Sequence, residues 1–181
     1  GFSVLEGESH EDKLQYRLGW MLHTGTGTKK DDVLAAEYWE HAARLGNVHA
    51  QYALGKLWLE NGNGDPGQAV EWLEKAAEAG NGAAQYALAK IYRDGDPVPQ
   101  DIEKAVKLFT LSAEQENEYA AYQLGKLYLS GEYLQKDVAE GIRFMEAAAE
   151  KGNQYAQYAL GKLYLCGNDV PRDKEKAVFY L

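Results

Sequence analysis

The chain has 181 residues, 45% hydrophobic and 26% charged, with a formal net charge of −9. The negative balance argues against nucleic acid, which is held by clustered Lys and Arg, and no apolar run approaches the roughly 20 residues of a membrane span. The single cysteine, Cys166, excludes an internal disulfide framework and favours a reducing compartment, so a cytoplasmic location is expected.

Residues 1–13 read as a leader or tag remnant, since the chain opens on Gly1 without a charged-then-apolar signal. A helical phrase, QYRLGWML, then begins at Gln15. The loop TGTGTKK (Thr24–Lys30) follows, and a second helical segment opens near Asp32 and stops at Gly46-Asn47. The next unit has AQYALGKLWLE from Ala50, in which Ala50, Leu54, Leu57 and Trp58 fall within an arc of about 100°, an apolar stripe. After NGNGDPG comes QAVEWLEKAAEAGN from Gln68. QYALAKIY from Gln85, AYQLGKLY from Ala121 and QYALGKLY from Gln157 open three further units, whose second helices start near Asp101, Asp137 and Asp173. The fifth stops at Leu181 in mid-helix, leaving Phe179, Tyr180 and Leu181 without a covering neighbour, so fraying or self-association is expected there.

The shared tyrosines Tyr16, Tyr52, Tyr86, Tyr122 and Tyr158 recur at intervals of 36, 34, 36 and 36 residues. A fixed period of this size means stacked supersecondary units. The expected fold is all-α: an αα-solenoid of about five antiparallel helix pairs, with units at about 14–47, 48–81, 82–117, 118–153 and a truncated 154–181. Apolar positions recur in the first helices as Leu18, Leu54, Leu88, Leu124 and Leu160, and in the second as Leu73, Phe109, Met145 and Leu181. Small residues recur in both helices, such as Gly19 and Gly55 in the first and Ala42 and Ala76 in the second, and allow close helix approach. Asp32, Asp101, Asp137 and Asp173 are placed to cap second helices. Gly46, Gly80 and Gly152 fit a left-handed helix stop, and Glu116 breaks that pattern, predicting a strained or longer helix end.

The unit A-x-x-x-L-G-x-x-Y-x-x-G, then D-x-x-K-A-V-x-x-L-x-x-A-A-x-x-G-N, resembles the Sel-one-like repeat, a relative of the tetratricopeptide repeat, from about Leu14 to Leu181. The resemblance implies a right-handed superhelix that serves protein–protein interaction, with no catalytic residues. The stretch Leu124–Val178 is more distantly similar to repeat arms at the end of mobilisation relaxases of Gram-positive bacteria, whose nuclease motif this chain lacks. That similarity implies the alternative role of a docking arm in a larger protein.

Opposite the buried leucine of each first helix, at about 160° and 200°, lie the positions two before and two after it. They hold Tyr16 and Trp20, Tyr52 and Lys56, Tyr86 and Lys90, Tyr122 and Lys126, and Tyr158 and Lys162. On the concave side that the resemblance implies for first helices, these ten residues form a tyrosine–lysine ladder. Aromatics supply large, stiff contact area, and the lysines would steer an acidic peptide or partner protein. The competing reading is that the tyrosines pack on neighbouring first helices. Packing gives no reason to repeat a charge.

No catalytic or ligand motif is found, so the expectation is a non-enzyme without metal or cofactor. His10, His23, His41 and His49 lack helical metal-site spacing. TGTGTKK lacks the phosphate-loop spacing, and NGNGDPG has Pro66 where a calcium loop needs glycine. Glu71, Glu74 and Glu78 read as a solvated face.

Overall fold

The computed structural model describes residues 2–62 and 64–181. Asn63, within the stretch weighed as a calcium loop, and Gly1 of the predicted leader lie outside them. Among the described residues there are ten helices and no strand: α1 (Phe2–Thr24), α2 (Asp32–Arg44), α3 (Val48–Asn61), α4 (Pro66–Glu78), α5 (Gly82–Asp94), α6 (Ile102–Glu114), α7 (Glu118–Ser130), α8 (Val138–Glu150), α9 (Gln154–Cys166) and α10 (Lys174–Tyr180). The architecture is the all-α repeat solenoid expected from the period. The chain divides into two compact units, Gly1–Ile91 with Gly95–Pro99, and Tyr92–Asp94 with Gln100–Leu181.

Capping follows one rule throughout. Each second helix is opened by an aspartate, Asp31, Asp65, Asp101, Asp137 or Asp173, whose carboxylate accepts from a backbone amide in the first turn. First helices α3, α5, α7 and α9 are opened instead by Asn47, Asn81, Asn117 and Asn153. Either side chain satisfies an amide that has no intrahelical partner. In α2 the cap is Asp31 rather than the expected Asp32. Asp32 is the first helical residue, and its carboxylate turns to His23, 2.7 Å away.

The apolar stripes meet as the spacing predicts. In the first unit Trp39, Ala42, Ala50, Leu54 and Leu57 form a buried cluster. In the second, Met145, Ala148, Leu160, Tyr164 and Ala177 do so. Leu54 and Leu124 are fully buried, each worth about 1.5–3 kcal/mol of transfer free energy. Rings from paired helices stack beside these cores, Tyr128 on Phe144 at 5.9 Å and Tyr164 on Tyr180 at 6.3 Å. At the end of α6, Glu116 adopts φ 64°, the left-handed turn taken by Gly46 and Gly80 in the earlier repeats. α6 ends at Glu114, so of the two outcomes expected for Glu116 it is the strained turn that occurs.

Candidate functional site

In the first unit, four of the ten predicted site residues come together. Tyr16 and Trp20 of α1 and Tyr52 and Lys56 of α3 line one open groove of about 530 Å³. The first turn of α5, Gly82 and Ala83, forms its far wall, and His23, Trp39, His49 and Glu60 also line it. Heptad-like spacing explains the convergence: positions four apart on a helix share a face. Trp20 is 47% exposed, a large indole left open to solvent. Beside it Leu14 and Met21 are also exposed.

The floor of the groove is held rigidly. Trp39 is buried, and its indole Nε1 donates to the Tyr16 carbonyl at 3.1 Å. His23 packs on Trp39 with ring centroids 5.3 Å apart, and its Nδ1 meets the Asp32 carboxylate at 2.7 Å. Lys30 Nζ lies 3.4 Å from the other Asp32 oxygen. Burial opposes ionisation of Asp32, but the His23 hydrogen bond and charge, with Lys30, outweigh it and hold the carboxyl below its ordinary value of 3.8. Lys56 Nζ reaches Glu60 at 3.7 Å, one turn on, with both side chains about half exposed. Such an exposed pair is weak and exchangeable.

The other six predicted residues occupy equivalent helix positions. Tyr86 and Lys90 lie on α5, with the ammonium 5.1 Å from the ring centroid. Tyr122 and Lys126 repeat this on α7 at 5.6 Å, and the ring of Tyr155 lies 5.9 Å from Tyr122. On α9, Tyr158 is 63% exposed, and Lys162 lines a shallow pocket of about 250 Å³ with Leu163, Cys166 and Asp169. The tyrosines are thus packed and accessible together: Tyr16, Tyr52, Tyr86 and Tyr122 are half-buried, and Lys56, Lys90, Lys126 and Lys162 are exposed. His23 and His49, which the helical spacing puts on the same side as the tyrosines, also line the groove, and Trp39 joins them without having been singled out in the sequence. The signal for Trp39 is that it stands where the later second helices carry Leu73, Phe109, Met145 and Leu181.

Among the described residues no group of three or more His, Cys, Asp or Glu is placed to hold a metal ion. No helix there is long and apolar enough to cross a membrane.

Comparison with known proteins gives these features a family. The Sel1 repeat pattern matches residues 13–47, 48–81, 82–117, 118–153 and 154–181. A Sel1 repeat protein from Oxalobacter formigenes is 31% identical, with a TM-score of 0.84 over 93% of this chain and 70% of that one. The protein c5321, a protective antigen present in uropathogenic Escherichia coli strains and displaying an SLR fold, is 34% identical with a TM-score of 0.88. That match covers 98% of this chain but 38% of the antigen, so the chain spans well under half its length. Helicobacter pylori cysteine rich protein B shares the fold at 21% identity and a TM-score of 0.57, over 70% of this chain and 92% of that chain. None of the curated proteins matches the chain. With the family pattern covering all five units, the chain belongs to the Sel1 repeat family.

Proposed function

We propose that this chain is an interaction module that binds a peptide or a segment of a partner protein through the tyrosine–lysine faces of its first helices. Sel1 repeats generally act as non-catalytic scaffolds for protein interactions, which supports the class of function. The observation that carries the reading is the convergence of Tyr16, Trp20, Tyr52 and Lys56 on one open groove. Half-buried tyrosines are held in place by the fold yet offer a ring edge and a hydroxyl, the combination enriched at interface hot spots. The pairs on α5, α7 and α9 are read as further contact positions of the same chemistry. Their exposed ammonium groups favour an acidic segment as the occupant. The relaxase-arm alternative has no observation in its favour here.

The test is a selection of displayed random peptides against the folded protein, followed by titration calorimetry with the enriched sequences. Replacing Tyr16 and Tyr52 together by alanine should weaken those peptides by about 2–4 kcal/mol in total, the range of hot-spot truncations. Retained affinity in a double variant with unchanged helical circular dichroism would refute the groove assignment.

A further inference from the structure

A ring pairing recurs between successive first helices. Tyr16 of α1 packs against His49, the second residue of α3, with centroids 5.8 Å apart at an interplanar angle of 36°. Tyr122 of α7 packs against Tyr155, the second residue of α9, at 5.9 Å and 35°. The two pairs have nearly the same geometry, so the pairing is a property of the repeat. At the second position of α5 the residue is Ala83, and the tyrosine that should find a ring there is Tyr52. The groove of about 530 Å³ opens at this point, with Tyr52, Gly82 and Ala83 all in its lining.

Tyr52, half-buried like its counterparts, differs from them on a second count. On α5 and α7 the lysine four residues on lies near the face of its tyrosine, Lys90 5.1 Å from Tyr86 and Lys126 5.6 Å from Tyr122. Lys56 instead extends to Glu60, 3.7 Å away. Both groups that cover the equivalent rings are therefore turned away from Tyr52 or missing beside it.

We propose that a ligand supplies the absent ring: an aromatic side chain of an acidic peptide segment enters the gap beside Ala83 and stacks on Tyr52. The chemistry of the walls fits this occupant. Trp20 and Tyr16 offer further aromatic surface at the mouth, and Gly82 and Ala83 leave room for a ring. Lys56, the amino group of the lining, can exchange Glu60 for a ligand carboxylate next to the ring, because its present ion pair is half exposed. The inference rests on the peptide-binding reading above and makes it specific to one residue type and one place.

The test uses N-acetyltyrosine as probe, with N-acetylleucine as the ring-free control, in an amide NMR titration of the whole chain. N-acetyltyrosine should shift the Gly82, Ala83 and Tyr52 amides with millimolar saturation, and N-acetylleucine should leave them in place. Ala83→Tyr installs the residue found at the same helix position in the next two repeats, Tyr119 and Tyr155, and fills the gap from within. It should weaken the probe by about two- to ten-fold, the worth of one aromatic pair. Tyr52→Leu, which keeps bulk without a ring, should do the same and guards against a fold effect peculiar to Ala83→Tyr. The proposal falls if N-acetylleucine shifts the same amides equally, or if Ala83→Tyr binds the probe as the parent does. It also falls if peptides selected against the chain lose affinity on Tyr122→Ala but not on Ala83→Tyr. That last result would leave the wider peptide-binding reading standing.

Discussion

A Cβ placed on Gly19 would lie 2.5 Å from the Cδ1 and Nε1 atoms of Trp39, so the indole occupies the space a side chain at residue 19 would need. The same relationship joins Gly55 to Leu73 and Gly125 to Met145, at 2.8 and 2.7 Å. In each case a glycine of the first helix receives the large core residue of the second, and the helix axes come close.

Gly19→Ala should therefore destabilise the first unit. Alanine is the better helix former by about 1 kcal/mol, but the added methyl must push aside a buried indole that is also tied to the Tyr16 carbonyl. Overpacking of this kind costs about 1–3 kcal/mol. Urea unfolding followed by tryptophan fluorescence measures it. An unchanged or higher midpoint would mean that Trp39 relocates freely and is not the fixed floor of the groove.

Glu116 stands with φ 64° where Gly46, Gly80 and Gly152 stand in the other repeats. Its carboxylate pairs with Lys151 at 2.8 Å, and that contact holds its pKa below the ordinary value. The pair is exposed and weak, whereas left-handed backbone strain is carried in full by a residue with a Cβ. Glu116→Gly should raise the thermal midpoint by about 2–4 °C, the shift expected of about 1 kcal/mol in a chain of this size. A lower midpoint would show that the contact with Lys151 outweighs the strain.

Asp32 ties acid stability to the groove floor. Its folded pKa lies below 3.8, so the His23 and Lys30 contacts contribute stability that is present above pH 3.8 and lost as the pH falls through the folded value. Asp32→Asn should lower stability near neutral pH and flatten the decline between about pH 5 and pH 2.5. Urea midpoints measured across that range for parent and variant decide it. Parallel curves would assign the acid limb to other carboxylates.

The legible parts of this fold were those set by period and by residue type. The leucine and tyrosine spacing fixes which face of each first helix is buried, and the structure has Leu54, Leu88, Leu124 and Leu160 buried on it. Less legible were choices made between neighbours. Two adjacent aspartates, Asp31 and Asp32, compete for one cap, and His23, distant in sequence, draws the second away. The lysine rotamers were equally hidden: Lys56 takes Glu60 four residues on, whereas Asp94, four after Lys90, is held by Arg93, and Lys90 and Lys126 lie by their tyrosines. His49 and Tyr155 could be aligned as equivalents from the sequence, but the meaning of Ala83 required seeing that they pack on Tyr16 and Tyr122.

The opening glutamine of the repeated phrase has a structural duty. Gln51, Gln85 and Gln157 each donate a side-chain Nε2–H to the carbonyl eight residues earlier, Ala43, Ala77 and Ala149, at 3.3, 3.2 and 3.2 Å. These carbonyls lie at the ends of the preceding second helices, where intrahelical donors run out. Gln85→Ala should cost about 1 kcal/mol, the usual net worth of such a bond. At the fourth repeat the phrase has Ala121, and the Ala113 carbonyl accepts from the Glu116 amide at 2.9 Å, as Ala43, Ala77 and Ala149 accept from Gly46, Gly80 and Gly152 beside their glutamines. Ala121→Gln should restore the missing staple and raise stability by about 0.5–1 kcal/mol. The site is nearly closed, with Ala121 5% exposed against 8% for Gln51 and 4% for Gln85, so the longer side chain has direct precedent in these two of its three counterparts. A fall in the urea midpoint of Ala121→Gln would mean that the strained turn at Glu116 has closed the space that glutamine fills elsewhere.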